Sequence, residues 1–129
     1  MLENIKVGMT NKAEKVVNEN NTAAAAGTGA LPVFSTPSMI SMMEEAAFLL
    51  LKKEPILEDS VGTGLEIKHT RACLPGTKVW AEATIIEVDR RAVTFSVVAY
   101  DEKGEIGRGI HSRFVIDAEK FLNKIKENR

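Results

Sequence analysis

Hydrophobic and polar positions change their rhythm twice along the chain. From Ile5 to Val17 apolar residues are scattered, with Gly8 and Thr10 favouring an extended segment, so a first strand is expected there. Thr22 to Pro32 follows the polar stretch Asn18-Glu19-Asn20-Asn21 and is rich in alanine and glycine. Its alanines suit a helical turn, but Gly27, Gly29 and Pro32 favour a mobile loop, a connector or a lid. The strongest helical pattern runs from Thr36 to about Lys53, with Thr36 expected as the N-cap, Pro37 at the first helical position and Pro55 as the stop. At 100° per residue Ser38, Ser41, Glu45 and Lys52 form a narrow polar stripe, while Ile40, Ala47, Phe48 and Leu51, continued by Met39, Met43, Ala46 and Leu50, cover most of the circumference. Such a helix must be wrapped by other elements.

Downstream the period becomes two. Leu65, Ile67 and His69 share one face, as do Val79, Ala81, Ala83 and Ile85 in a strand over Lys78–Val88, and Val93, Phe95, Val97 and Ala99 in the next. Pro75-Gly76, Asp89-Arg90-Arg91 and Asp101-Glu102-Lys103-Gly104 mark turns, and Glu105 to Ile116 completes a meander. Asp117 is placed to cap a short final helix with apolar Ala118, Phe121, Leu122 and Ile125. Strands grouped after one helix argue for an α+β fold in which a curved antiparallel sheet wraps a central helix, the hotdog architecture. The whole chain, 1–129, is expected to be one such domain.

Composition adds exclusions. Hydrophobic residues at 44% and charged residues at 27% suit a globular chain, and a net charge of −1 gives no footprint for nucleic acid. Cys73 stands alone, so no internal disulfide can form. The longest apolar run, Ala46 to Leu51, is far short of a membrane span, and the N-terminal residues show no secretory pattern; a cytoplasmic, membrane-free protein is expected. No glycine-rich phosphate loop, nucleophile elbow or metal-spaced His/Cys cluster occurs, and no cofactor is expected.

Glu44 is the most informative position. It falls among apolar Ile40, Ala47, Phe48 and Leu51, where a carboxylate needs a hydrogen bond or a raised pKa, both of which suit a base or nucleophile. His69 points to the same face as Leu65 and Ile67. Thr36 sits where free helix N–H groups could steady a developing negative charge. Gly62 and Gly64 flank Thr63 ahead of the His69 strand, and Arg113 shares a strand face with His111, suited to a phosphate or a carboxylate. Each has a plainer structural reading: a satisfied core group, a cap, a bulge or a surface charge. Cys73 has no activating partner in the sequence.

Leu31-Pro32-Val33-Phe34-Ser35-Thr36-Pro37 with Met42-Met43-Glu44-Glu45-Ala46, Ser60-Val61-Gly62-Thr63-Gly64 with His69, Pro75-Gly76, and His111-Ser112-Arg113-Phe114-Val115 together resemble the fluoroacetyl-CoA thioesterase-like group of hotdog proteins over nearly the whole chain. The resemblance implies hydrolysis of a small acyl-CoA, with coenzyme A part of the substrate rather than a cofactor. It implies Thr36, Glu44 and His69 as catalytic, Gly62, Thr63 and Arg113 as substrate-binding, and a homodimer with sites near the subunit interface. The alanine- and glycine-rich segment departs from the bulky aromatic gate of the specialised fluoroacetyl enzymes and points away from fluoroacetyl-CoA itself. Two other readings compete: a non-catalytic acyl-CoA binder, and a hotdog enoyl-CoA hydratase or dehydratase. The absence of a histidine on the helix counts against the second.

Overall fold

The computed structural model describes residues 2–128. Five strands, β1 (Thr10–Val16), β2 (Asp59–His69), β3 (Lys78–Asp89), β4 (Ala92–Asp101) and β5 (Gly104–Ile116), form one antiparallel sheet. Their spatial order is β1-β3-β4-β5-β2. The single-turn α1 (Ala23–Ala26), the long α2 (Thr36–Lys52) and the terminal α3 (Ala118–Glu127) complete the chain. The α+β expectation holds: α2 packs on the inner face of the sheet, against β3, β1, β2 and β4.

The period-two residues of β3 and β4 all point to that helix. Val79, Ala81, Ala83, Ile85, Val93, Phe95, Val97 and Ala99 are fully buried, and so are Met39, Met42, Met43, Ala46, Ala47 and Leu51. Burying a methionine or leucine side chain of this kind contributes roughly 1.5–3 kcal/mol before entropy is charged against it. Alanines on both surfaces let the helix axis approach the sheet at close-packed density.

Ser35, not Thr36, is the N-cap of α2: its hydroxyl accepts from the Ser38 amide, and Pro37 follows at the second helical position. A β-region backbone is required at the cap, and Ser35 has it (φ −79°, ψ 149°). Strand β2 begins at Asp59, well upstream of the alternating stretch at Leu65, and its register against β5 shifts between Gly62 and Gly64. That bulge leaves Thr63 as the extra residue and breaks the period-two signal. Beyond it, Gly109 on β5 sits where a Cβ would collide with the Glu66 carbonyl, so glycine sets how closely β2 lies on β5.

The alanine-rich segment is a short excursion tied at both ends. Thr22 caps α1, Gly27 closes it at φ 74°, and main-chain bonds join Ala23 to Val33, Ser35 to Asn21 and Phe34 to Cys73. Asp117 caps α3 as expected, by accepting from the Lys120 amide, but Phe121, Leu122 and Ile125 remain exposed. No helix among the described residues is long and apolar enough to cross a membrane.

Candidate active site

One ridge of α2 faces the inner side of β2. Thr36, Ile40, Glu44 and Phe48 follow one another at four-residue spacing and so line up along the helix. Because Ser35 takes the cap, the Thr36 side chain is free, and its Oγ1 lies 2.8 Å from Nδ1 of His69, the last residue of β2. Phe34, buried beneath, meets the imidazole edge-on at 6.4 Å. The other ring nitrogen, Nε2, is shielded from solvent and has no hydrogen-bond partner among the described residues. Burial lowers the pKa of His69, with the main chain of Arg71 opposing the shift, so the ring is neutral near pH 7. With the proton on Nδ1 the ring donates to Thr36 and leaves the hydroxyl hydrogen free; with the proton on Nε2 the direction reverses. An open hollow of about 590 Å³ lies beside this pair, walled by Ala23, Val33, Phe34, Pro37 and Ala72.

Two helical turns on, about 12 Å along the axis by the rise of 1.5 Å per residue, stands Glu44. Glu44 is not buried as the apolar arc suggested: its side chain is 43% exposed, on the flank of the packed face. The neighbours that made the arc look central, Ile40 and Phe48, are themselves only partly covered. The Glu44 Oε1 lies 4.0 Å from Nη1 of Arg113. Between them is Gly62, where an added Cβ would sit 3.2 Å from Glu44 Oε1, 3.4 Å from Arg113 Nη1 and 3.4 Å from His111 Cε1. Glycine therefore leaves a gap of about one methyl group, walled by a carboxylate and a guanidinium. Thr63 is exposed in the bulge beside it.

Arg113 is buried rather than a surface charge. Its Nε donates to Ser60 Oγ at 2.8 Å, its Nη2 to the Ser60 carbonyl at 3.2 Å, and the Phe48 ring lies 5.7 Å from its Cζ. Burial pushes its pKa down and the Glu44 charge pushes it up; a guanidinium stays cationic through such shifts. Ser60, Phe48 and His111 all join this cluster without having been singled out for it; only the shared strand face of His111 and Arg113 hinted at it in the sequence.

The six candidate residues thus fall into two groups within one chain, Thr36–His69 and Glu44–Gly62–Arg113 with Thr63 alongside. A groove lined by Ile40, Leu65, Ile67 and Gly109, together with the charged Glu66, Lys68 and Arg108, lies where α2, β2 and β5 meet. Cys73 stands apart: burial, with the Asp101 carboxylate beside it, pushes its thiol up to about 11, which removes it as a nucleophile. Among the described residues no group of three or more His, Cys, Asp or Glu side chains is placed to hold a metal ion.

The sequence model of the family described as fluoroacetyl-CoA-specific thioesterase matches residues 17–119. The fluoroacetyl-CoA thioesterase of Streptantibioticus cattleyicolor is 38% identical over 98 residues, which are 74% of this chain and 69% of that protein. A solved structure of fluoroacetyl-CoA thioesterase superposes with a TM-score of 0.84 at 32% identity, covering 97% of this chain and 98% of the other. A hot-dog-like protein from Thermanaerovibrio acidaminovorans shares the fold at 23% identity, with a TM-score of 0.85 over 96% of this chain and 93% of its own.

Proposed function

Because the chain belongs to the fluoroacetyl-CoA-specific thioesterase family and is an acyl-CoA thioesterase, we propose that it hydrolyses a small acyl-CoA at the seam between α2 and β2, with Glu44, His69 and Thr36 as the acting groups. The observation that carries the assignment is the gap at Gly62, which the Glu44 carboxylate faces directly. Glu44 takes a proton from a water as the new C–O bond forms and the carbonyl electrons move onto oxygen; in the covalent variant the carboxylate attacks first, the thiolate leaves, and a water then opens the resulting anhydride and supplies the proton. The Thr36 hydroxyl, oriented by His69 Nδ1, donates to the oxygen on which charge develops. The carbonyl then re-forms, the C–S bond breaks, and the electron pair leaves on the sulfur of coenzyme A. His69, neutral through burial, carries the proton taken by Glu44 to that sulfur. Arg113 fixes the carboxylate, Gly62 and Thr63 border the thioester, and the hollow beside Thr36 takes the acyl group.

The two groups of residues are too far apart along α2 to serve one thioester within a chain, and β2 is an edge strand with its outer side unpaired. A homodimer resolves both points. Antiparallel pairing of β2 with its copy, centred on Glu66 and with Thr63 bulged out of the ladder, sets His69 of one subunit across from Gly62 of the other, both on the helix-facing side. Each site then takes Thr36–His69 from one protomer and Glu44–Gly62–Arg113 from the second. A cytoplasmic location fits the free, buried Cys73.

The test is a thiol-release screen across acyl-CoAs from acetyl upward, with His69→Ala and Glu44→Gln as controls. Turnover should be greatest with short chains, and Glu44→Gln should lower kcat by on the order of 10²–10⁴. A folded Glu44→Gln enzyme with undiminished kcat would remove Glu44 from the mechanism.

A further inference from the structure

His111 is 1% exposed and has no part in the proton transfers above. Its Nδ1 lies 2.8 Å from the Gly64 carbonyl. A carbonyl can only accept, so Nδ1 carries the proton and Nε2 presents its lone pair. That lone pair faces Arg113 Nη1 at 3.2 Å. The ring is wedged in place by Phe95, stacked at 6.0 Å with 29° between planes. We infer that His111 is a positioning residue: its neutral Nδ1–H tautomer accepts from Arg113 and so aims the guanidinium at Glu44.

The chain of contacts explains the choice of residue. Ser60 holds two corners of the guanidinium, Nε and Nη2, and His111 holds the third. Three of five N–H donors are committed to the frame, which leaves the remaining Nη1 hydrogen on the Glu44 side. A lysine or arginine at 111 would bring a second cation against Arg113, and an aliphatic residue would leave a buried N–H unmet, at a cost of about 1–3 kcal/mol. Imidazole meets the need only while neutral, and burial lowers its pKa; the Gly64 carbonyl and Glu44 push the other way, while Arg113 reinforces the drop. The bulge at Gly62–Gly64 contributes as well, because it turns the Gly64 carbonyl onto Nδ1 and thereby selects the tautomer.

This inference rests on the reading of Glu44 as the acting carboxylate. Its test compares His111→Leu, which keeps the volume and loses the acceptor, with His111→Gln, whose Oε1 can replace Nε2. On the acyl-CoA that the wild type cleaves fastest, His111→Leu should lower kcat about 10²-fold with KM within a few-fold, as for a misaimed catalytic group, and His111→Gln should restore most of the loss. Nitrogen-15 NMR supplies a reading that needs no turnover. His111 should show the Nδ1–H tautomer, and the Arg113 side-chain N–H signals should be resolved in wild type and His111→Gln but averaged with solvent in His111→Leu. Active wild type, inactive Glu44→Gln and undiminished kcat in His111→Leu would overturn the positioning role and leave the thioesterase reading standing. If the wild type releases no thiol, that reading fails on its own and the NMR decides this one. An Nε2–H tautomer, or Arg113 signals unaltered in His111→Leu, overturns it in either case.

Discussion

Thr36 Oγ1 and His69 Nδ1 lie 2.8 Å apart although 33 residues separate them, and the hydroxyl is available for that bond because Ser35 caps the helix one position earlier. Capping and chemistry, which a single threonine at a helix start would have to share, are divided between adjacent residues.

That division predicts opposite phenotypes for neighbouring substitutions. Ser35→Ala should cost about 1 kcal/mol of stability and leave kcat within a few-fold. Thr36→Ala should shift stability by no more than about 0.5 kcal/mol yet lower kcat by on the order of 10²-fold, with Thr36→Ser recovering activity. Urea titrations and thiol release on the same four proteins decide it; a fully active Thr36→Ala enzyme would return Thr36 to a purely structural role.

Gly62→Ala should act on the site rather than the fold. The backbone at Gly62 has no positive φ, so alanine is not strained there. Its Cβ, however, would fill the gap at 3.2 Å from Glu44 Oε1. The melting temperature should hold within a few degrees, whereas kcat/KM should fall by at least about 10-fold, since a displaced reacting group loses rate steeply. Equal losses of stability and activity would point to a backbone cause instead.

Much of this arrangement was legible in the chain, and what was not has physical reasons. The meander β3–β4–β5 and the span of α2 follow from period and punctuation, since each is a local pattern that burial later rewards. The first half of β2 was hidden because a bulge at Thr63 interrupts the alternation. Glu44 was singled out for the wrong environment: on a helix apolar around most of its surface, the partly exposed Ile40 and Phe48 counted as core, and the carboxylate between them seemed buried. The pairing of Thr36 with His69, and of His111 with Arg113 and Gly64, depends on how β2 lies against α2 and β5. No spacing within the sequence reports that.

Acid should weaken the fold through both histidines. Burial lowers the pKa of His69 and of His111 below the unfolded value of 6.5. Between the folded and unfolded pKa values the unfolded chain binds more protons, so stability is present in full above about pH 6.5 and is lost as the pH falls through that window. The urea midpoint of the wild type should drop between about pH 7.5 and about pH 5.5, and the drop should shrink in a His69→Gln/His111→Gln double variant. A double variant as pH-sensitive as the wild type would assign the loss to carboxylates.

The shared site makes the sharpest prediction, because it concerns two inactive proteins. Glu44→Gln and His69→Ala damage different halves of the site, and the halves belong to different subunits if β2 pairs with its copy about Glu66. Unfolding the two variants together and refolding them yields mixed dimers. In each mixed dimer one site carries both substitutions and the other carries neither. With random pairing half of the dimers are mixed and half of their sites are intact, so thiol release should recover to about a quarter of the wild-type rate. Were Glu44 and His69 of the same chain to act together, every site in the mixture would keep one defect and no activity would return. Size-exclusion chromatography of the refolded mixture, run beside the assay, checks that dimers have formed, so a null result counts against the shared site rather than against refolding.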